Sequence, residues 1–400
     1  MGLARLMTLR VPADLLHFPT NLVYLAGALY GLANSMASTL IPLYVLELGY
    51  GAAEVGIVVS AQGLLQVLLQ FAGGAASDRF GERVVIGFSF AAYAAGVVAI
   101  VIAPLYAVIL ASQLMIGASR AVYWTAAQSY VSRSFQARPG TVLGRLLSFE
   151  SSGTALGGVA AGLAAACRGY TAAFVICAVI CILGLVAVLV LPVLPRHVSV
   201  RSLRESLAPI PVLLRSPPIV MAGIIALAAS VSAALVGSLY QVYFTQVGFG
   251  EAFIGGIRSL YAVGMVIVAF SFGAAISQFG ARSLMIAGLV LTGLFTIGTT
   301  VAGGTAWAAA LVMLAVGGTF GALRALYPSI AAGHSTPEQR GVALSAAQLY
   351  WGIGQLLVPV TFGYIAEYAG AVATLWIAGI LLVAVGILSP VLYKRLLKPS

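Results

Sequence analysis

The sequence predicts an all-α membrane protein of twelve transmembrane helices arranged as two pseudo-symmetric six-helix bundles. Three observations carry this. Hydrophobic residues are 61% of the 400 and charged residues 8%, too few charges for a soluble surface, so lipid is the solvent for most of the chain. Apolar stretches close to the ~20 residues that cross a bilayer recur along the whole length. A pattern in the first half, Gly74 to Arg83, returns in the second as Gly273 to Arg282, 199 residues later.

The spans fall at roughly 20–46, 53–77, 84–103, 105–131, 141–166 and 171–192, and then at 219–247, 253–277, 283–303, 305–331, 341–367 and 371–393. Residues 1–192 and 219–400 are therefore the two bundles. Residues 193–218, with Pro195, Pro209, Pro211, Pro217 and Pro218, are the linker between them. An even number of passes puts both termini on one side. Loops on that side carry Arg79, Arg83, Arg133, Arg138, Arg201, Arg204, Arg215, Arg282 and Arg340, whereas the opposite side has Arg168 with Glu47, Glu54, Glu251 and Glu367. The asymmetry places both termini in the cytoplasm and the protein in a bacterial-type cytoplasmic (inner) membrane.

Composition also excludes functions. The net charge of +10 is spread over short loops with no clustered face, which speaks against nucleic acid as a partner. Cys167, Cys177 and Cys181 have no disulfide framework or metal spacing, and the last two share a helix face suited to packing. Arg5, Arg10 and Asp14 give the first nineteen residues the character of a polar lead-in rather than a cleaved signal. No nucleotide-binding or His-rich sequence is present, and His17, His197 and His334 fall outside the spans. The chain is expected to be no enzyme and to need no metal or cofactor.

The turn after the second span reads Gly74-x-x-x-Asp78-Arg79-x-Gly81-x-Arg83. Asp78 and Arg79 end the apolar run, Gly81 permits a positive φ, and Arg83 suits lipid phosphates. This pattern resembles the signature loop of the major facilitator superfamily. The resemblance implies a cytoplasmic gate built by Gly74, Asp78, Arg79, Gly81 and Arg83. The second copy has Ser277 and Gln278 in place of the charged pair, so a charged latch is expected from the first half alone. In span five, Gly153-x-x-x-Gly157-Gly158-x-x-Ala161-Gly162 resembles the antiporter motif of the exporter branch. Small residues at this spacing equally let helices pack closely. Where exporters carry an Arg early in span four, this chain has Gln113.

Ionised groups within spans need a partner or a wet cavity. Arg120 and Glu150 come at similar depth on spans four and five, and are expected to pair as a structural ion pair, as a proton-coupling site, or as both. Arg145 is close enough to a helix end to snorkel. Arg258, near Glu251, suggests a gate, and Arg324 with Tyr327 a cavity face. Tyr30 and Asn34 on span one, Tyr123, Trp124 and Gln128 on span four, and Tyr240 and Gln241 on span seven complete the candidate substrate residues, since the resemblance places spans one, four, seven and ten around the cavity. Glutamines 62, 66, 70, 348 and 355 stripe spans two and eleven, where, with spans five and eight, the two halves would slide past each other.

The expected function is proton-coupled export of a small organic solute, anionic, zwitterionic or amphiphilic, by alternating access in a monomer surrounded by lipid. Import or uniport of an organic anion is the alternative, and a lipid-handling protein another. An apolar groove between spans five and eight would favour lipid, and a polar cavity around Arg120 a soluble solute.

Overall fold

The computed structural model describes residues 21–69, 76–77, 79–134, 139–194, 214–335 and 340–397. Residues 1–20, linker residues 195–213, and Gln70, Gly74, Asp78 and Arg138 lie outside the described residues.

All regular structure among the described residues is helical: α1 (Leu22–Glu47), α2 (Ala52–Leu68), α3 (Glu82–Ile102), α4 (Tyr106–Ser134), α5 (Pro139–Val190), α6 (Pro217–Gly237), α7 (Leu239–Gln246), α8 (Glu251–Ala302), α9 (Ala306–Gly333), α10 (Arg340–Ala369) and α11 (Ala371–Leu397). Among the described residues, nine continuous helical stretches are long and apolar enough to cross a membrane, α6 and α7 counting as one, and α2 adds a shorter one. Two of the nine, α5 and α8, run for 52 residues, more than double the ~20 residues of one crossing. Each is interrupted once, at Gly169 (φ 78°) and Gly280 (φ 75°). Each is thus long enough for two passes, in keeping with the expected arrangement.

Positive φ among the described residues is confined to glycine, because a Cβ makes that region costly. These glycines mark the internal repeat. Gly49 and Gly248 lie 199 residues apart, Gly81 and Gly280 also 199, and Gly169 and Gly370 lie 201 apart. The duplication seen in one loop therefore runs through the backbone of both halves.

Span seven differs from expectation. It breaks at Ser238 (φ −139°, ψ −74°), leaving α7 as a separate eight-residue helix. The break leaves the Val236 carbonyl in need of a donor, and Arg258 Nη1 supplies one at 3.0 Å.

Within the first half, α1 packs along α5, and α3 packs on both α4 and α5. In the second half, α6 packs on α10, and α8 packs on α9 and α11. Many large apolar side chains face outward, Phe270, Ile102 and Trp307 among them, as expected of a surface solvated by lipid.

The halves meet along two symmetric seams, α2 against α10 and α5 against α8. Glycines let the backbones approach. A Cβ at Gly158 would sit 2.6 Å from the Gly255 carbonyl oxygen, and one at Gly363 would sit 2.7 Å from that of Ala52. One buried serine serves each seam. The Val159 amide donates to Ser259 Oγ at 2.9 Å, and the Val360 amide donates to Ser60 Oγ at 3.1 Å. The acceptors are 199 residues apart and the donors 201, so a single hydrogen bond appears twice across the pseudo-twofold axis.

Candidate functional site

Between the halves lies a cavity of about 150 Å³. The first half lines it with Asn34 and Ser38 of α1, Gln62 of α2, Gln113 and Arg120 of α4, and Thr154 of α5. The second half contributes Gly237 of α6, Arg258 and Tyr261 of α8, Phe320 and Arg324 of α9, and Trp351 and Gln355 of α10. The repeat orders these residues. Ser38 corresponds to Gly237, Gln62 to Tyr261, Arg120 to Phe320 and Thr154 to Gln355, at offsets of 199, 199, 200 and 201. The first-half wall is rich in hydroxyl, amide and guanidinium groups, with Tyr93, Pro42 and Val59 among them. The second-half wall carries the aromatic rings of Tyr261, Phe320 and Trp351 together with Arg258, Arg324, Gln355 and small apolar residues.

Arg120 and Arg324 are not equivalent positions. The residue that corresponds to Arg324 in the first half is Trp124, one turn beyond Arg120. Because α4 and α9 run in the same direction, the backbone positions of the two arginines are staggered by about 6 Å along the helix axes. Arg324 is exposed and touches Met265 Sδ at 3.6 Å, while Arg120 is half-buried. No carboxylate of the described residues forms an ion pair with either.

This corrects the expected Arg120–Glu150 pair. Glu150 accepts a hydrogen bond from Thr154 Oγ1 at 3.3 Å. The reason is packing. The helix after α4 in sequence spends its contacts on α1 rather than on α4, so neighbours in the chain are not close neighbours in space.

Several expected substrate residues are placed elsewhere. Tyr30 and Tyr123 stack on each other in the core of the first half, with centroids 3.5 Å apart and planes 3° from parallel, beside Phe90 and Tyr93. The Tyr30 hydroxyl meets Ser119 Oγ at 3.1 Å. Trp124 packs edge-on against Tyr123, and Gln128 is exposed beyond the cavity. Tyr240 is buried with Phe244. Gln241 Nε2 donates to the Ser38 carbonyl at 3.0 Å, so it ties α7 to α1 across the halves instead of facing the cavity. Tyr327 stands behind Trp351, with ring centroids 6.4 Å apart. Arg258 is held by Val236, not by Glu251, which instead takes the Tyr170 hydroxyl at 3.4 Å. Asn34, Arg120, Arg258 and Arg324 are the predicted substrate residues that do line the cavity. The buried Asn34 Oδ1 has no hydrogen-bond partner.

At the predicted gate, Gly81 takes φ 88° as its turn requires. Arg79 lies over the Phe80 ring at 5.3 Å. Arg83 donates to the Leu189 carbonyl rather than standing free for headgroups. Gly74 and Asp78 lie outside the described residues. Reasoning from sequence missed the neighbouring Glu82, which is buried and forms an ion pair with Arg133 while accepting from Ser129 Oγ at 2.9 Å. An acid directly after the turn glycine, with Arg133 ending span four on the same side, was the available signal.

The side opposite the termini is closed by Gln241 and by Glu367. The Glu367 carboxylate accepts from the Ala52 and Ala53 amides at 2.8 and 3.4 Å, an anion at the positive end of α2. A second, apolar groove of about 390 Å³ lies between α5 and α8, with Leu147, Val263, Ile267, Phe270 and three serines along it. Both discriminating features, the polar cavity and the apolar groove, are thus present in one molecule.

Two pseudo-symmetric helical bundles in a membrane, closing over a charged central cavity, define a transporter rather than an enzyme. The chain belongs to the Major Facilitator Superfamily, whose family description matches residues 23–257 and 222–400. Among solved structures it is similar to the nucleoside transporter NupG, at 13% identity and a TM-score of 0.79, covering 94% of this chain and 99% of that one. It is also similar to a D-xylose–proton symporter, at 16% identity and a TM-score of 0.72, covering 92% and 96%. At these identities the likeness is one of fold. No curated protein matches the sequence.

Proposed function

We propose that this protein is a proton-coupled secondary transporter of a small organic anion, working by alternating access, with Glu150 as the proton-binding group. The observation that carries this reading is the charge of the cavity. Three guanidiniums line it, no carboxylate of the described residues does, and Glu150 stands one turn from Thr154 at its edge. Arg258 is committed to Val236, which leaves Arg120 and Arg324 for a solute.

Electrostatics sets the direction of coupling. An anion that draws Arg324 and Arg120 away from Glu150 strengthens that carboxylate's hold on a proton, and linkage makes the effect reciprocal. Anion and proton therefore bind together, which is symport. The fold shared with a D-xylose–proton symporter accords with this sense. Export rested on the glycine run of span five. Gly153 and Gly157 face α1, and Gly158 and Gly162 face α8, so close packing accounts for all four. By the same reading, both termini face the cytoplasm, where the basic loops lie.

Proteoliposomes of the full chain, assayed with labelled benzoate, succinate and benzenesulfonate against protein-free controls, test the proposal. Symport requires accumulation driven by an acid exterior. Glu150→Gln should abolish that accumulation and retain anion exchange. Accumulation driven only by an acid interior would establish proton antiport, and gradient-driven transport by Glu150→Gln would remove Glu150 from the mechanism.

A further inference from the structure

The two walls of the cavity differ in a way that selects more than charge. Tyr261, Phe320 and Trp351 form a continuous aromatic strip on the second-half wall, with successive centroids 5.4 and 5.8 Å apart and interplanar angles of 27° and 43°. Tyr327 backs Trp351 from behind. The first-half positions that correspond to these three lining rings are Gln62, Arg120 and Glu150, at offsets of 199, 200 and 201. Aromatic rings on one side therefore stand at positions that the repeat gives to polar and charged groups on the other. The volume of about 150 Å³ matches cavities that admit a single benzene-sized ring. Asn34 Oδ1, buried at the edge of the cavity without a partner, offers an acceptor to a donor on the solute.

We propose that the cavity selects a small carboxylate carrying one planar aromatic ring, the ring meeting the partly exposed Trp351, which the buried Phe320 backs, and the carboxylate reaching Arg120. This rests on the anion-transport reading above and narrows it. An aromatic face stacks on the strip in offset or edge geometry, which a saturated ring of the same size cannot reproduce. The guanidinium fork takes the carboxylate, which a neutral aromatic solute lacks.

Isothermal titration of the purified full chain in detergent with benzoate, cyclohexanecarboxylate, acetate, benzyl alcohol and uridine tests the class. Benzoate should bind at least about fivefold more tightly than cyclohexanecarboxylate, and benzyl alcohol at least about tenfold more weakly than benzoate. Trp351→Leu should erase the preference for benzoate while leaving cyclohexanecarboxylate within about twofold, with an unchanged melting temperature showing that the variant folds. Phe320→Leu repeats the test from the ring that backs it. Equal or tighter binding of cyclohexanecarboxylate, or a preference that survives both substitutions, overturns the aromatic assignment. If acetate and cyclohexanecarboxylate bind and move with protons as well as benzoate does, the ring preference falls and anion transport stands. If no carboxylate binds while uridine does, both readings fall.

Discussion

Removing the two serine hydroxyls that join the halves should loosen the closed side of the transporter by equal, additive steps. Ser259 accepts from the Val159 amide and Ser60 from the Val360 amide, at 2.9 and 3.1 Å, and all four atoms lie at seam positions related by the repeat. Both serines are buried, so water cannot take over the lost contact in the closed state. A hydrogen bond of this kind contributes about 1 kcal/mol net, which is about fivefold in the ratio of closed to open states. Ser60→Ala and Ser259→Ala should each shift that ratio about fivefold, and the double variant about 25- to 30-fold, since the sites lie on different seams and share no partner. Spin labels at positions 50 and 368, which flank the contact between Gly51 and Glu367, report the opening. With Cys167 replaced by Ser, double electron–electron resonance should show the long-distance population growing in proportion. A double variant with an unchanged distance distribution would refute the hinge role. So would single variants that differ by more than tenfold.

Three further outcomes follow from the same contacts. Glu367→Gln keeps the shape of the cap on α2 but removes its charge, which should cost about 1 kcal/mol and widen the same label distances; unchanged distances would show the cap to be idle. Breaking the Glu82–Arg133 pair by Glu82→Gln leaves a half-buried guanidinium without its carboxylate and should destabilise the protein by about 3 kcal/mol, seen as a lower melting temperature in detergent, with Arg133→Gln giving a similar loss. Gly158→Ala drives a Cβ against the Gly255 carbonyl and Ser259, so transport should fall by at least about tenfold while Gly256→Ala, with open space around it, leaves it unchanged.

The sequence by itself determined the solvent, the number of crossings and the duplication. A chain with so few charges can be satisfied only in lipid, and lipid permits only helices that bond their own backbones. The glycine turns at 81 and 280 were legible because a positive φ is a backbone requirement that one residue type meets at low cost. The seams between spans two and eleven and between five and eight were likewise as expected. What tertiary structure alone decided was which way each side chain points. Helices that are apolar on every face carry little amphipathic signal, since lipid and protein core ask for the same residues. Tyr30 and Tyr123 therefore read as cavity residues in sequence, yet they stack inside one half. Glu150 was matched with Arg120 because their spans are consecutive, whereas the helix that carries Glu150 packs along α1 rather than α4 and the two side chains form no ion pair. Depth along a helix follows from counting residues. The angle around its axis follows from what the neighbouring helices bury, and no single segment holds that information.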